Sequence, residues 1–369
     1  MSRSVLDYFI ELVQIDSESL YEGAIALGLK TELERLGAEV YIDKAGEVTG
    51  GEIGNLIGWL PGNKDLEPLF LCAHMDTVQP GKGVKPVIDG DIIRSESNTI
   101  LGADDKCGIA MILAVLDEYK ESGDAHAPLE IVFSVSEEIG LLGAKALDLS
   151  RLRSKRGYVL DGNKIGEVVK ASPNQADWKA IIRGKSAHAG VEPEKGNNAI
   201  RAAAAAILAI KDGRIDEETT MNCGKICGGI ATNIVCDEVK IAGEIRSHNE
   251  NKLFNLGEEV KEQFQATTRE YKCTLEFDLN ISFQSTLIDE NDELVKLSEQ
   301  AFKAAGITQK LVINGGGSDA NVFSRKGLQG IVVGIGMQKI HSINEYIMLD
   351  DLKRGRIWLK NVIELWSRR

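Results

Sequence analysis

The chain has 369 residues, 43% of them hydrophobic and 27% charged, with a formal net charge of −13. That length suggests two or three domains on a prior of about 150 residues each, and the composition is that of an ordinary globular protein rather than a disordered one. The acidic balance speaks against a nucleic-acid backbone or an anionic membrane as a partner. No apolar run approaches the roughly 18 residues that a membrane-spanning helix requires. Asp7 and Glu11 would fall inside the apolar core of a leader peptide, so no secretory signal is expected. The six cysteines are scattered and read as reduced thiols of a cytoplasmic protein.

Residues 1–36 carry helical periodicity, with Leu6, Phe9, Ile10 and Val13, and then Leu29, Leu33 and Leu36, at helical spacing. Strands are expected at Ala38–Ile42, Ile53–Trp59, Pro68–Ala73, Leu129–Ser134 and Gly157–Leu160. Between them, Gly108–Tyr119 reads as an amphipathic helix with Ile109, Ile112, Leu113 and Leu116 on one face. The runs LFLCA and IVFSV are apolar on both faces, as strands in a covered sheet must be. This rhythm predicts an α/β fold, a mostly parallel mixed sheet flanked by helices.

From about residue 172 to 285 the rhythm changes. A strand at Trp178–Arg183 leads to an alanine-rich helix at Asn198–Lys211. Strands follow near Thr219–Cys227 and Glu238–Arg246, then a helix over Asn251–Tyr271 and a strand at Thr274–Ile281. The order βαββαβ predicts an inserted ferredoxin-like α+β domain. After Asp289 the α/β rhythm returns, with a helix at Glu293–Ala305, a strand at Leu311–Ile313, a second helix, a strand at Gly330–Gly334 and a terminal helix. The expected division is therefore 1–171 with 286–369 as one discontinuous domain, and 172–285 as the other.

Five segments place a potential ligand just past a predicted strand or at a helix start. His74-Met75-Asp76 follows LFLCA, and Asp104-Asp105 opens a helix. Glu137-Glu138 follows IVFSVS, Asp161 follows GYVL, and His341 comes shortly after IVVGIG. Ligands of an open α/β sheet bind beyond the carboxyl ends of its strands, so these groups can meet on one edge. Two imidazoles and several carboxylates at one point suit a divalent metal, zinc foremost. Carboxylates crowded together repel unless a cation neutralises them. Each piece also has a plainer explanation, since Asp caps helices and Glu-Glu is commonly a solvated turn. It is the coincidence of all five that points to a metal site.

HMDTV at 74–78, GADDKCG at 102–108, SEEIGLLGA at 136–144 and LDG at 160–162 together resemble the signature of the co-catalytic di-zinc peptidases. That family includes glutamate carboxypeptidase, aminoacylase and peptidase T, and the chain looks most like the peptidase T branch. GKSAHAG at 184–190 and IHSINE at 340–345 extend the resemblance over nearly the whole chain. The resemblance implies two divalent metal ions, with Zn²⁺ favoured over Co²⁺ or Mn²⁺, bridged by Asp104. His74 and Asp161 would complete one ion's ligands, and Glu138 and His341 the other's. Asp76 would orient His74, Glu137 would be the general base, and the Asp104–Asp105 peptide would be cis. The inserted domain would act as a lid and a homodimer surface, with His188 stabilising the oxyanion. Arg246 and Asn233 become candidates for binding the substrate, as do Gly317 and Ser318 in the late glycine run. Asn314 stands near that run where peptidase T has an arginine, which leaves tripeptide specificity open. His126, His248 and the cysteines acquire no role.

The function so implied is hydrolysis of an amide bond in small peptides, as by a tripeptidase or aminopeptidase. An N-acyl amino acid deacylase or a carboxypeptidase would use the same metal core. A remote rival is a nucleotide-binding enzyme, because Gly315-x-Gly317-x-x-Ala320 follows a strand and precedes a helix. Such a site needs an acidic residue at the end of the next strand, where Gly336-Met337 stand instead.

Overall fold

The computed structural model describes residues 2–63 and 65–369. The chain divides into two compact units. One is the chain up to Lys170 with Thr286–Asn314 and Ser318–Arg369, and the other is Ala171–Ser285 with Gly315–Gly317.

Among the described residues, nine strands form the main sheet of the first unit. Their order is Glu39–Ile42, Leu56–Leu60, Leu129–Ser134, Leu69–His74, Arg156–Gly162, Gln329–Gly334, Glu167–Ser172 and Thr286–Leu287, with Lys310–Ile313 also paired to Glu167–Ser172. The four strands in the middle, from Leu129–Ser134 to Gln329–Gly334, are mutually parallel, while Leu56–Leu60 and Glu167–Ser172 join them antiparallel and Glu39–Ile42 joins Leu56–Leu60 antiparallel. Leu69–His74 and Leu129–Ser134 are buried at every position, which is why their sequences run apolar without alternation. A smaller four-stranded antiparallel sheet, absent from the sequence-based reading, joins Pro86–Asp89 and Ile92–Ser95 to Met337–Gln338 and Tyr346–Met348.

Two helical expectations change. Residues 1–36 are not uniformly helical, because Val5–Val13 and Gly23–Leu36 are separated by a non-helical segment. That break turns Glu18, Ser19 and Glu22 toward backbone and side-chain groups near the strand ends, as detailed below. The helix Ala103–Ser122 is also not amphipathic, since every residue from Ala103 to Asp117 is buried. It packs on Leu69–His74 and Arg156–Gly162, while helices Val5–Val13 and Leu349–Trp366 cover its other side. A helix enclosed on all sides has no polar stripe to show. Behind the sheet, Trp358 stacks on Phe302 and meets Tyr158 edge-on, at centroid separations of 5.1 and 5.4 Å.

The second unit has the ferredoxin-like plan. Its antiparallel sheet runs Gly213–Arg214, Thr219–Gly228, Glu238–Ser247, Asn174–Arg183 and Thr274–Phe283. Helices Ala199–Ala209 and Glu250–Glu270 pack together over it. Ala199, Ala202, Ala203 and Ala206 form the buried stripe of the first helix, so the alanine run serves close helix packing. Trp178 is enclosed between Phe264 and Phe277, at centroid separations of 5.7 and 6.1 Å. No helix among the described residues is long and apolar enough to cross a membrane.

Candidate metal centre

The four parallel strands end on one side of the sheet, and each carries a candidate ligand at or just beyond its end. His74 is the last residue of Leu69–His74, and Asp161 lies at the end of Arg156–Gly162. Glu137 and Glu138 follow Leu129–Ser134, and His341 follows Gln329–Gly334 by a short loop. Asp104 enters from the start of the central helix, where the Asp104–Asp105 peptide is cis.

The side chains converge. His74 Nε2 lies 3.0 Å from Asp104 Oδ1 and 3.8 Å from Asp161 Oδ1. His341 Nε2 lies 2.8 Å from Glu138 Oε2 and 3.4 Å from Asp104 Oδ2. Asp104 thus meets one imidazole through each carboxylate oxygen. His74, Asp104 and Glu138 each offer an atom within 4.8 Å of the others, and so do His74, Asp105 and Asp161. The sequence offers Asp105 beside Asp104 as a potential ligand but gives it no role of its own. Its Oδ2 accepts the His74 backbone N–H at 3.2 Å. Gly108 one turn on leaves room for it, since a Cβ there would lie 2.5 Å from Asp105 Oδ1.

Burial makes this crowd of carboxylates unfavourable without a cation. It pushes the Glu137, Asp105 and Asp161 carboxyls well above their usual range, and the neighbouring negative charges add to the effect. Glu138 is raised for the same reason. Hydrogen bonds to Asp104 and Glu138 raise the His341 pKa to about 10. Burial opposes a charged His74, but its contacts with Asp104 and Asp76 still hold its pKa well above the ordinary value. Both imidazoles stand in for positive charge that the carboxylates demand. Glu138 Oε1 and Asp105 Oδ1 are buried without a hydrogen-bond partner among the described residues. A nitrogen-and-oxygen donor set with unpartnered carboxylate oxygens fits divalent metal ions.

Asp76 does more than flank His74. The His74 Nδ1 sits 3.0 Å from the Asp76 carbonyl oxygen and 3.4 Å from its carboxylate. That carboxylate also accepts the backbone N–H groups of Glu137 and Glu138, at 2.9 and 3.2 Å, and the Ser19 hydroxyl at 2.6 Å. One buried anion therefore positions both an imidazole and the glutamate pair. Glu22 Oε1 in turn accepts the Ser136 backbone N–H at 2.9 Å, and Glu18 the Gly81 N–H at 2.9 Å. The Lys106 ammonium donates to the Ile15 carbonyl at 2.7 Å. These contacts explain the helix break after Val13, and nothing in its hydropathy pattern announces them. Asp319, the residue after Ser318, is also drawn in. It accepts the Ser134 hydroxyl, and burial raises its pKa to about 6.

The remaining candidates lie elsewhere. In the second unit, His188 and Asn233 are adjacent through a bridge between His188 and Ile234 and the bond from Ala189 N–H to the Asn233 carbonyl, at 2.9 Å. His188 Nδ1 accepts the Gly190 N–H at 3.1 Å, so a neutral ring carries its proton on Nε2. Arg246 pairs with Glu244 through Nε and Nη2 and donates from Nη1 to the Gly315 carbonyl. Ser318 is buried, and its N–H donates to Asn321 Oδ1 at 3.0 Å. Gly317 is needed for packing, because a Cβ there would lie 2.3 Å from the Phe283 ring. A glycine used in that way does not cradle a pyrophosphate, and the adjoining strand Lys310–Ile313 lies off the main sheet path.

Residues 70–365 match the model of peptidase family M20/M25/M40. The chain belongs to that family. The aminopeptidase PepT from Bacillus cereus is 42% identical, with a TM-score of 0.85 over 98% of each chain. A tripeptidase from Staphylococcus aureus is 36% identical, with a TM-score of 0.92 over 100% of each chain. The Bacillus subtilis protein YqjE is 40% identical over 363 residues, 98% of each chain. This M20 protein is a metallopeptidase of the peptidase T-like branch.

Proposed function

We propose that this M20 peptidase removes the N-terminal residue from short peptides, tripeptides foremost, using two divalent metal ions. The observation that carries the reading is the convergence of His74, Asp104, Glu138, Asp161 and His341 at the ends of parallel strands, with carboxylate oxygens left unpartnered. The likeness to the B. cereus aminopeptidase and the S. aureus tripeptidase supports the substrate class. Zinc suits the imidazole and carboxylate donors best, with Co²⁺ or Mn²⁺ able to replace it.

His74, Asp104 and Asp161 would hold one ion, and Asp104, Glu138 and His341 the other. When bound, such ions lower the pKa of water toward ~7 and polarise the scissile carbonyl. Glu137 accepts the proton of the attacking water and hands it to the leaving nitrogen. Its burial shields that proton from solvent between the two transfers. Asp76 orients His74 and fixes the backbone of both glutamates. His188 donates from Nε2 to the carbonyl oxygen as charge develops there, on a unit that serves as a lid. Arg246 has five N–H donors and uses three on Glu244 and Gly315, which leaves two for the peptide's terminal carboxylate. Asn233, Gly317 and Ser318 complete the binding of the peptide backbone.

A second copy of this chain is the partner we infer for the inserted unit. Among the described residues, no strand pairs with the outer edge of Lys225–Gly228. Ile226 on that edge and Leu208 on the neighbouring helix are 58% and 86% exposed. All six cysteines are free thiols, which supports a cytoplasmic location.

The deciding experiment is a hydrolysis screen of di- and tripeptides, their N-acetylated forms and N-acetyl amino acids, with each metal in turn. Free-amine tripeptides should be cleaved from the N-terminus, and acetylation should abolish turnover. Faster hydrolysis of N-acetyl amino acids, or release of the C-terminal residue first, would replace this reading with a deacylase or a carboxypeptidase.

A further inference from the structure

His74 and His341 are held in different ways. The second ring nitrogen of His74 is fixed against Asp76, as metal-binding histidines generally require. No described residue holds Nδ1 of His341, and its side chain is 51% exposed. Its ring geometry must therefore come from its backbone. That backbone is itself unusual, since Lys339 and His341 have φ values of 52° and 59°. Non-glycine residues stay in that region only when surrounding contacts enforce it.

The contact that does so is made by Glu345, which is 2% exposed. Its Oε2 accepts the backbone N–H groups of Leu101 and Gly102, both at 2.7 Å, and its Oε1 accepts that of Asp104 at 3.0 Å. Three N–H groups turned to one point form an anion-binding nest, and the anion comes from 241 residues along the chain from Asp104. Glu345 also closes the turn that begins at His341. Its own N–H donates to the Ser342 carbonyl at 3.0 Å, and the Ser342 hydroxyl donates to the Lys339 carbonyl at 2.7 Å. One carboxylate thus ties the segment bearing Asp104 to the loop bearing His341. Of the groups assigned to the two ions it reaches Asp104, which serves both, and the loop of His341, which serves one.

We propose that Glu345 is a positioning residue for one metal ion of the pair, the ion held by Asp104, Glu138 and His341. The proposal rests on the two-ion reading given above. Glu345 sets the distance between Asp104 and His341, which come from separate segments, so its loss should weaken that ion more than the one at His74 and Asp161, which shares Asp104 but not His341.

The test is stepwise Zn²⁺ titration of the ion-free full chain by calorimetry with a competing chelator. The variants are Glu345→Gln, which loses the charge, and Glu345→Asp, which keeps it one methylene short. Glu130→Gln is the control, because Glu130 is another buried carboxylate that accepts backbone N–H groups, from Arg153 and Ser154. In Glu345→Gln one of two affinities should fall by roughly 10–100-fold, and the other should stay within about threefold. Glu345→Asp should fall between it and the parent. Turnover at saturating Zn²⁺ should largely recover with KM unchanged, and Glu130→Gln should lower thermal stability without altering either affinity. Equal weakening of both ions, unchanged affinities in Glu345→Gln, or the same selective loss in Glu130→Gln would overturn the proposal. Binding of a single ion by the parent chain would instead overturn the two-ion reading beneath it.

Discussion

Glu137 and Glu138 share one anchor, since both backbone N–H groups donate to Asp76, yet their side chains serve different ends. Glu138 reaches His341, whereas Glu137 is perturbed most by burial and then by Asp161, on the other side of the centre. The two substitutions should therefore fail differently. Glu137→Gln keeps the shape and removes the base, so metal content should survive while kcat falls by about 10²–10⁴-fold. Glu138→Gln removes an anionic ligand, so metal affinity should fall first, with activity partly restored by excess metal. Metal analysis beside kinetics for both variants checks this. Near-normal turnover in Glu137→Gln, or loss of metal from it alone, would reverse the two roles.

At the scale of elements, the strand Thr219–Gly228 is protected unevenly. Gly213–Arg214 pairs with Thr220 and Met221, and among the described residues no strand pairs with the outer half of the strand on that edge. Open edges carrying apolar side chains recruit another chain unless something blocks them. Here Ile207, Ile210, Asp212 and Cys223–Ile226 line a cavity of about 290 Å³ at that edge, which a partner's side chains can fill. The parent chain is expected to run as a dimer in light scattering. Leu208→Glu combined with Ile226→Lys should make it monomeric with its fold intact by circular dichroism. A monomeric parent at micromolar concentration would remove the proposed dimer surface.

For the molecule as a whole, the metal centre sets how stability responds to ions and to pH. Without ions, burial raises Asp319 from 3.8 to about 6 and Glu345 from 4.5 to about 7. Their folded forms keep protons that the unfolded chain has released, so the contribution of these groups to stability is lost as pH rises through that window. Ion binding runs the other way, because ligands must be deprotonated to bind. Chelation with EDTA should lower Tm at about pH 7.5 and much less at about pH 5.5, and Zn²⁺ should restore it. An ion at a hundredfold excess over its Kd contributes about 2.7 kcal/mol. A Tm indifferent to EDTA at the higher pH would mean that the centre does not hold ions.

Much of this protein follows from local sequence. Strands such as LFLCA and IVFSV are apolar on both faces because the sheet is covered, and the burial of Leu69–His74 at every position is the same fact seen in space. The ligand candidates were legible because polar residues after apolar strands break the pattern abruptly. The place of Asp104 between both imidazoles came only from the family resemblance, and the parts played by Asp105, Glu345, Asp319 and the segment after Val13 were not legible at all. Each depends on a contact between residues far apart in the chain, as with Glu345 and the Leu101–Asp104 backbone. Hydrophobic periodicity records which face of an element is covered and not what covers it, so the enclosed helix Ala103–Ser122 read as amphipathic. A carboxylate that fixes a distant loop looks, in one dimension, like any other glutamate in a turn. The residue types available for the chemistry were thus determined by the sequence alone. Which of them meet, and at what distance, was decided by the tertiary structure, because convergence at the strand ends depends on the order in which distant strands pair.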